Sequence, residues 1–547
     1  MLRHRSILPA ARGALAASLA LAGATLLAAA TTAEAGFRTF AEPMQLPGDA
    51  AAGAVRADRD TWLVGARPGA GAEAAARGFA ARRVGPASSG DYVLARRHAR
   101  SFAGALRSRG LLAYAQPNGL ALTSQAVPDD PLSGTPNAWR SAVVDPNLTP
   151  PPVTPTSPVI ALLDTRLDET HPEFVGGNVS TVGDLPLADL HGTATAAVAA
   201  APANGVGILG VWPGARALNV PLPPDRLTCA ASASGVHRAI AAGAAVINMS
   251  YGSRSLCRPE YNALQRAVQR GIVPVAAAGN EFGDGNPPEF PASLPHVLTV
   301  AAVNARLDSS AFSNANSAVD LSAPGENILT AVPPAFDQDG NPDGYQLLDG
   351  TSFSAPMVSG AVAWVRAARP ELSPDQVAQV VRLSSRDLAR KGYDQDTGFG
   401  LLNLGAALAK APPPRDPLEP NDDMTFVNGR AFGTPSQAIF AGGAARLDGL
   451  VDAYEDPADV YRVRLRGRSR VRVSARPAFG DPVLVGFGPG TRSLRGRSLA
   501  TSRLKGRRTE RITLRNRSGR TRTYFVAIGV QSGGRSLDAG YRLTLRR

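Results

Sequence analysis

Three side chains that together can cut an acyl bond stand where apolar runs give way to small, polar residues: Asp164, His191 and Ser352. A hydroxyl is a weak nucleophile, and a neutral imidazole beside it can take its proton. A carboxylate on the far side of the ring fixes the tautomer and stabilises the imidazolium that forms. Asn280, directly after Gly279, adds an amide donor. With the Ser352 backbone N–H it can hold the oxyanion of a tetrahedral intermediate. Singly, each residue has a plainer reading: Asp164 and Asn280 suit turns, His191 a polar helix start, Ser352 a helix cap. Jointly they favour catalysis. Of His4, His98, His171, His191, His237 and His296, only His191 has a matching context, and His171 reads as non-catalytic.

The elements that must position these residues are legible in outline. The apolar run 159–163 delivers Asp164 at its end, and 271–278 ends in Gly279-Asn280. His191-Gly192-Thr193 opens an Ala-rich helix running to about Ala201, and Gly350-Thr351-Ser352 opens another. A helix start leaves backbone N–H groups free near the hydroxyl. Further strand candidates are 217–220, 245–249 and 297–301, alternating with helical stretches. Short unalternating strands between helices predict an α/β fold, a parallel sheet covered on both faces. Active sites in such sheets lie at the C-terminal edge. Before this region, strand candidates 61–66, 81–84, 91–95 and 111–122 and helical stretches 70–80 and 99–109 give a β-α-β-β-α-β rhythm. That rhythm predicts a ferredoxin-like α+β unit. After it, 459–464, 471–475, 511–514 and 524–528 alternate in and out, which predicts an all-β sandwich.

The order Asp…His…Ser is the subtilisin order. Over roughly residues 130–410 the chain resembles the subtilase (subtilisin-like) superfamily, through the three motifs above and Asn248-Met249-Ser250-Tyr251-Gly252, Phe290-Pro291-Ala292, Ala323-Pro324-Gly325 and Gly398-Phe399-Gly400. The resemblance implies that Ser250, Tyr251 and Gly252 pair with substrate backbone. It implies that Ala277, Ala278 and Gly279 form the opposite wall of the specificity pocket, and that the bond before Pro291 is cis. Arg166, Leu190 and Ala194 depart from the family's usual Gly, Gly and His. Lost glycines remove positive-φ freedom, and Arg166 is placed to pair with Asp164 or reach substrate. Residues 60–122 resemble an inhibitory propeptide and Asp130-Pro131-Leu132 a mature start, which implies self-cleavage between Leu120 and Asp129. Residues 416–547, with Glu419-Pro420-Asn421-Asp422, resemble a bacterial pre-peptidase C-terminal domain. The expected activity is a serine endopeptidase made as a zymogen. The alternatives are an inactive subtilase-like binding or scaffold protein and a peptide ligase or cyclase with the same triad. No cofactor or metal ligand is assigned: the family often holds structural calcium, but no ligand loop stands out.

A chain of 547 residues exceeds one hydrophobic core. The expected division is a signal peptide 1–35, a propeptide 36–128, a catalytic domain 129–410, a Pro-rich linker 411–420 and a sandwich 421–547. Arg3, Arg5 and Arg12, the apolar stretch 14–30 and Ala33-Glu34-Ala35 carry the export signal, against the alternative of a membrane anchor. No transmembrane segment is expected in the mature form, which should be a secreted or surface-associated monomer. Two cysteines in an exported chain, Cys229 and Cys257, predict a disulfide rather than a metal site. Cys229 begins a helix after strand 217–220 and Cys257 follows strand 245–249, and if those strands are neighbours both lie at one sheet edge. From Arg415 onward 26 basic residues face 12 acidic ones, a surplus of 14. Such a surface suits an anionic polymer such as teichoic acid or nucleic acid, with a merely solvated face as the plainer reading. Few aromatics accompany the arginines, so stacked nucleic-acid recognition is not expected.

Overall fold

The structure is a computed structural model, and it describes residues 57–67, 70–84, 90–119, 130–134, 139–416, 418–531 and 538–547. The expected signal peptide and the processing bonds at 120–129 lie outside the described residues. The chain forms two compact units, Met1–Thr123 and Ser124–Arg547. In the first, β1 (Ala57–Ala66), α1 (Ala70–Gly78), β2 (Arg82–Val84), β3 (Asp91–Ala95), α2 (Arg96–Arg107) and β4 (Leu112–Gly119) follow the expected rhythm. The antiparallel sheet runs β2-β3-β1-β4, the ferredoxin-like order. Val64, Leu94, Phe102 and Leu106 form its core. Gly65 is required where it stands: an added Cβ would lie 2.1 Å from the ring of Tyr114, its partner on β4.

The second unit begins with α3 (Arg140–Val143), β5 (Val159–Asp164), β6 (Asn178–Thr181), α4 (His191–Ala200) and β7 (Arg216–Pro221). It continues with α5 (Cys229–Ala241), β8 (Val246–Met249), α6 (Arg258–Gln269), β9 (Val273–Ala277), β10 (Leu298–Val303) and β11 (Leu321–Pro324). These seven strands form one parallel sheet in the order β11-β10-β9-β8-β5-β7-β6. Successive residues of β5 feed opposite layers, because side chains alternate along a strand. Ile160 and Leu162 pack in the layer that holds the α4 residues Ala196 and Val198. Ala161 and Leu163 pack in the layer that holds Val236 of α5 and Leu264 of α6. Burial on both faces is why the strand reads as an unbroken apolar run. The hairpin β12 (Ile328–Ala331) and β13 (Tyr345–Leu348) leads into α7 (Thr351–Ala368), then α8 (Pro374–Leu383) and α9 (Leu404–Ala409).

After α10 (Met424–Val427), eight strands complete the unit: β14 (Ala444–Asp452), β15 (Ala458–Leu465), β16 (Arg470–Pro477), β17 (Pro482–Phe487), β18 (Ser498–Ser502), β19 (Glu510–Arg515), β20 (Arg522–Val530) and β21 (Asp538–Arg546). They form two antiparallel sheets, β14-β21-β16-β19 and β15-β20-β17-β18. Along β16, Val471, Val473 and Ala475 are buried while Arg470, Arg472 and Arg476 are exposed. The fold is thus a parallel α/β sheet with all-β sheets at its C-terminal side. The condition attached to the cysteines is not met, because β5 lies between β7 and β8.

Candidate active site

Asp164 ends β5 at the C-terminal edge of the sheet and is buried. Its Oδ1 accepts the Thr165 N–H at 2.8 Å and lies 2.6 Å from His191 Nδ1, while Oδ2 accepts the Thr195 hydroxyl at 2.9 Å. An ionised carboxylate only accepts, so Nδ1 carries the proton and Nε2 is left as the basic nitrogen. His191 opens α4, where Asp189 accepts both its N–H at 2.9 Å and the Thr165 hydroxyl at 2.5 Å. Gly192 explains the triplet His-Gly-Thr: an added Cβ would stand 2.1 Å from the Thr165 carbonyl, so only glycine lets α4 approach β5 this closely. Burial lowers the affinity of the imidazole for its proton. The carboxylates of Asp164 and then Asp189 more than offset that, and its pKa is raised above the ordinary 6.5.

Ser352 is the second residue of α7. Its Oγ donates to the Ser250 carbonyl at 3.4 Å, a long bond, and not to the imidazole. The next side chain, Phe353, packs against the His191 ring with centroids 5.8 Å apart, so imidazole and helix start are adjacent. Asn280 follows β9, and its Oδ1 accepts both the N–H and the hydroxyl of Thr351 at 2.9 Å. That orients the amide so that Nδ2 faces the other way. A Cβ added to Gly350 would lie 3.5 Å from Asn280 Nδ2 and 3.6 Å from the Ser352 nitrogen, so both donors border the same gap. Gly350 has φ 146°, which keeps that gap clear of a side chain.

The expected substrate walls lie alongside. A relay of Ser359 Oγ to Asn248 Oδ1 (2.9 Å), Asn248 Nδ2 to Ser250 Oγ (3.0 Å) and Ser250 Oγ to the Ser352 carbonyl (2.8 Å) ties the end of β8 to α7. Asn248 carries a sequence signal as a polar residue inside an apolar strand, whereas Ser359, inside the small-residue helix α7, carries none. Tyr251 donates its hydroxyl to Glu260 of α6 at 2.8 Å. Ala277 and Ala278 are buried, Gly279 half-buried and Gly252 exposed. Arg166 engages neither Asp164 nor the cleft. Its guanidinium donates to the Leu185 carbonyl at 3.3 Å and the Gly183 carbonyl at 3.5 Å. Leu190 sits at φ −88°, where no glycine is needed, and Ala194 is part of the core. The Phe290–Pro291 bond is cis, as expected. Cys229 and Cys257 are bonded, Cα–Cα 5.4 Å, and join the start of α5 to the cap of α6.

A second polar site was missed. His296, Glu419, Asp422 and Asp456 form one group with potential ligand atoms within 4.8 Å of one another, and Asp416, Glu419, Asp456 and Asp459 form another. One oxygen each of Asp416, Asp422, Asp456 and Asp459 is buried without a hydrogen-bond partner. Burial first, and then their mutual repulsion, push Asp416, Glu419 and Asp456 far above the ordinary carboxylate range. His296 Nε2 lies 3.0 Å from Asp422. Such a set of hard oxygen donors fits a divalent cation.

The subtilase family profile matches residues 156–400. Subtilisin of Bacillus pumilus is 32% identical over 257 residues, 45% of this chain and 90% of that protein. Fervidolysin of Fervidobacterium pennivorans is 28% identical over 365 residues, 60% of this chain and 50% of that protein. The crystal structure of fervidolysin, 19% identical, covers 83% of this chain and 85% of its own, with a TM-score of 0.46. The chain spans half the length of fervidolysin. It belongs to the subtilase family of serine proteases.

Proposed function

We propose that the chain is an exported serine endopeptidase, made as a self-processing zymogen, with Asp164, His191, Ser352 and Asn280 as its catalytic groups. Ser352 Oγ attacks the scissile carbonyl carbon as His191 Nε2 takes its proton, and Asp164 steadies the imidazolium. The new oxyanion sits between Asn280 Nδ2 and the Ser352 N–H. Collapse expels the amine, which receives the proton from His191, and water cleaves the acyl-enzyme by the same steps in reverse roles. Attack requires the Ser352 side chain to turn from the Ser250 carbonyl toward the imidazole. The observation that carries this reading is the 2.6 Å contact between Asp164 and His191, beside a helix start bordered by two donors. The test compares the wild-type precursor with Ser352→Ala. The wild type should split between Leu120 and Asp129 and react with a fluorophosphonate. The variant should stay full length and unlabelled. A wild-type precursor that neither splits nor reacts favours an inactive scaffold, and ligated product with an added amine favours a ligase.

On the same reading residues 36–128 act as the inhibitory propeptide, separated from the protease by cleavage between Leu120 and Asp129. The Cys229–Cys257 bond braces the substrate-binding rim. Asp416, Glu419, Asp456 and Asp459, or Glu419, Asp422 and Asp456 with His296, would hold a calcium ion, which would supply positive charge to the orphaned oxygens of the aspartates and would take no part at the hydroxyl. On the outer sheet of the sandwich, Arg470 faces Arg515 and Arg472 faces Arg546, while Arg542, opposite Arg476, is answered by Asp448 at 2.6 and 2.9 Å. Like charges directly opposite one another are unfavourable. An anionic surface polymer relieves that repulsion, and its binding should weaken as salt rises.

A further inference from the structure

Between the two walls of the specificity pocket lies a carboxylate that the mechanism does not use. Ser253 and Phe290 exchange backbone hydrogen bonds of 2.9 and 2.8 Å, which holds residue 289 against the Tyr251-Gly252 segment. The Glu289 side chain keeps only 5 % of its surface exposed. A Cβ on Gly252 would lie 2.7 Å from Glu289 Oε2, and one on Gly279 would lie 2.8 Å from Glu289 Cγ. The side chain therefore runs from beneath one wall to beneath the other, and both walls are glycine where they meet it. Its charge is poorly answered. Among the described residues its ion-pair partner is Arg254, with Nε 3.9 Å from Oε1, too long for a hydrogen bond. Arg254 is itself 56 % exposed and shared with Asp284 at 3.8 Å. Glu281 adds a second carboxylate, 2.7 Å from the Cβ position of Gly279, and is occupied by the Asn280 N–H at 2.7 Å. Burial, followed by Glu281, raises the affinity of Glu289 for a proton.

We infer that Glu289 selects substrates whose side chain on the acyl side of the cleaved bond is cationic, arginine or lysine; this rests on the protease reading above. A buried carboxylate with one loose partner gains short charge-assisted hydrogen bonds when a guanidinium or ammonium enters. A leucine or phenylalanine in the same place leaves it buried and unpaired, which is unfavourable. Arg254 acts as a displaceable stand-in for the substrate cation.

The test uses processed wild-type enzyme and a series of chromogenic tetrapeptides differing only in the residue before the cleaved bond. The wild type should prefer arginine and lysine over phenylalanine and leucine by about ten- to a hundredfold in kcat/KM, the range expected of a hydrogen bond to a charged group. Glu289→Gln should remove that preference while fluorophosphonate labelling of Ser352 persists. Arg254→Ala, at an exposed position, should sharpen the preference and serves as the second variant if Glu289→Gln fails to fold. A labelled enzyme that prefers phenylalanine or leucine, or a preference for cations that survives Glu289→Gln, overturns the inference and leaves the protease reading standing. An enzyme that is neither labelled nor active on any peptide overturns both.

Discussion

The catalytic rim and the foot of the C-terminal sandwich both bury carboxylates, and they treat them in opposite ways. Asp164 is surrounded by donors: the Thr165 N–H, the His191 ring and the Thr195 hydroxyl. At the sandwich, Asp416, Glu419, Asp422, Asp456 and Asp459 crowd together with one imidazole among them, and four oxygens go unpartnered. The first carboxylate is complete within the chain, so its charge is ready when an imidazolium forms. The second group is answered within the chain by His296 alone among the described imidazoles, 3.0 Å from Asp422 and 3.6 Å from Glu419. The oxygens it does not reach would be completed by a cation, since a buried charge without a partner costs several kcal/mol. On the reading proposed above, one site is preorganised for a reaction and the other is a fastening for a cation.

Substitutions should separate the two. Asp164→Asn removes the charge from a satisfied site and sets the wrong imidazole tautomer, and kcat should fall about 10⁴-fold with the melting temperature little changed. Asn280→Ala should lower kcat by roughly 10²–10³ with little effect on KM, because the donor acts on the oxyanion rather than the substrate. At the sandwich, chelation should instead act on stability. If calcium is present at a hundred times its Kd, removing it should cost about 3 kcal/mol, read as a drop in Tm by calorimetry. Asp456→Asn should raise Tm in chelator, because it relieves repulsion, and should blunt the gain that calcium gives. A Tm indifferent to calcium, together with an Asp456→Asn variant less stable in chelator, would erase the contrast.

How far sequence reaches follows the same division. β5 and its terminal Asp164 are legible because burial on both faces leaves an unbroken apolar run. His191 and Ser352 are legible because each stands at a helix start near a glycine, Gly192 required by packing and Gly350 by its positive φ. β6, with Asn178 and Ser180 exposed at the sheet edge, carries no such signal, and β11 has only four residues. Sheet order is a three-dimensional fact: β5 slips between β7 and β8, and the disulfide expected from two cysteines in an exported chain forms all the same. The acidic group draws on residue 296, on 416–422 and on 456–459, so no single stretch looks like a ligand loop. Arg166 looked poised for Asp164, yet the carbonyls of Gly183 and Leu185 claim it. Long-range partners decide such cases, and local patterns do not encode them.

The smallest effect probes the rim itself. The proposed mechanism needs His191 neutral, and its pKa stands above the ordinary imidazole value because Asp164 and Asp189 outweigh burial. Activity should therefore fall on the acid side at a higher pH than an unperturbed histidine would dictate. The effect on stability has the opposite sign. The protonated pair with Asp164 favours the fold below the unfolded histidine's pKa, and that contribution is lost as pH rises through the folded one. Asp189→Asn keeps an acceptor for the His191 N–H and the Thr165 hydroxyl, so α4 should stay docked on β5. It removes one of the two charges that hold the proton. The acid limb of kcat/KM should move down in pH while the plateau rate stays near the wild-type value. An unmoved limb would mean that Asp164 alone sets the imidazole, and the rim would then be simpler than its geometry implies.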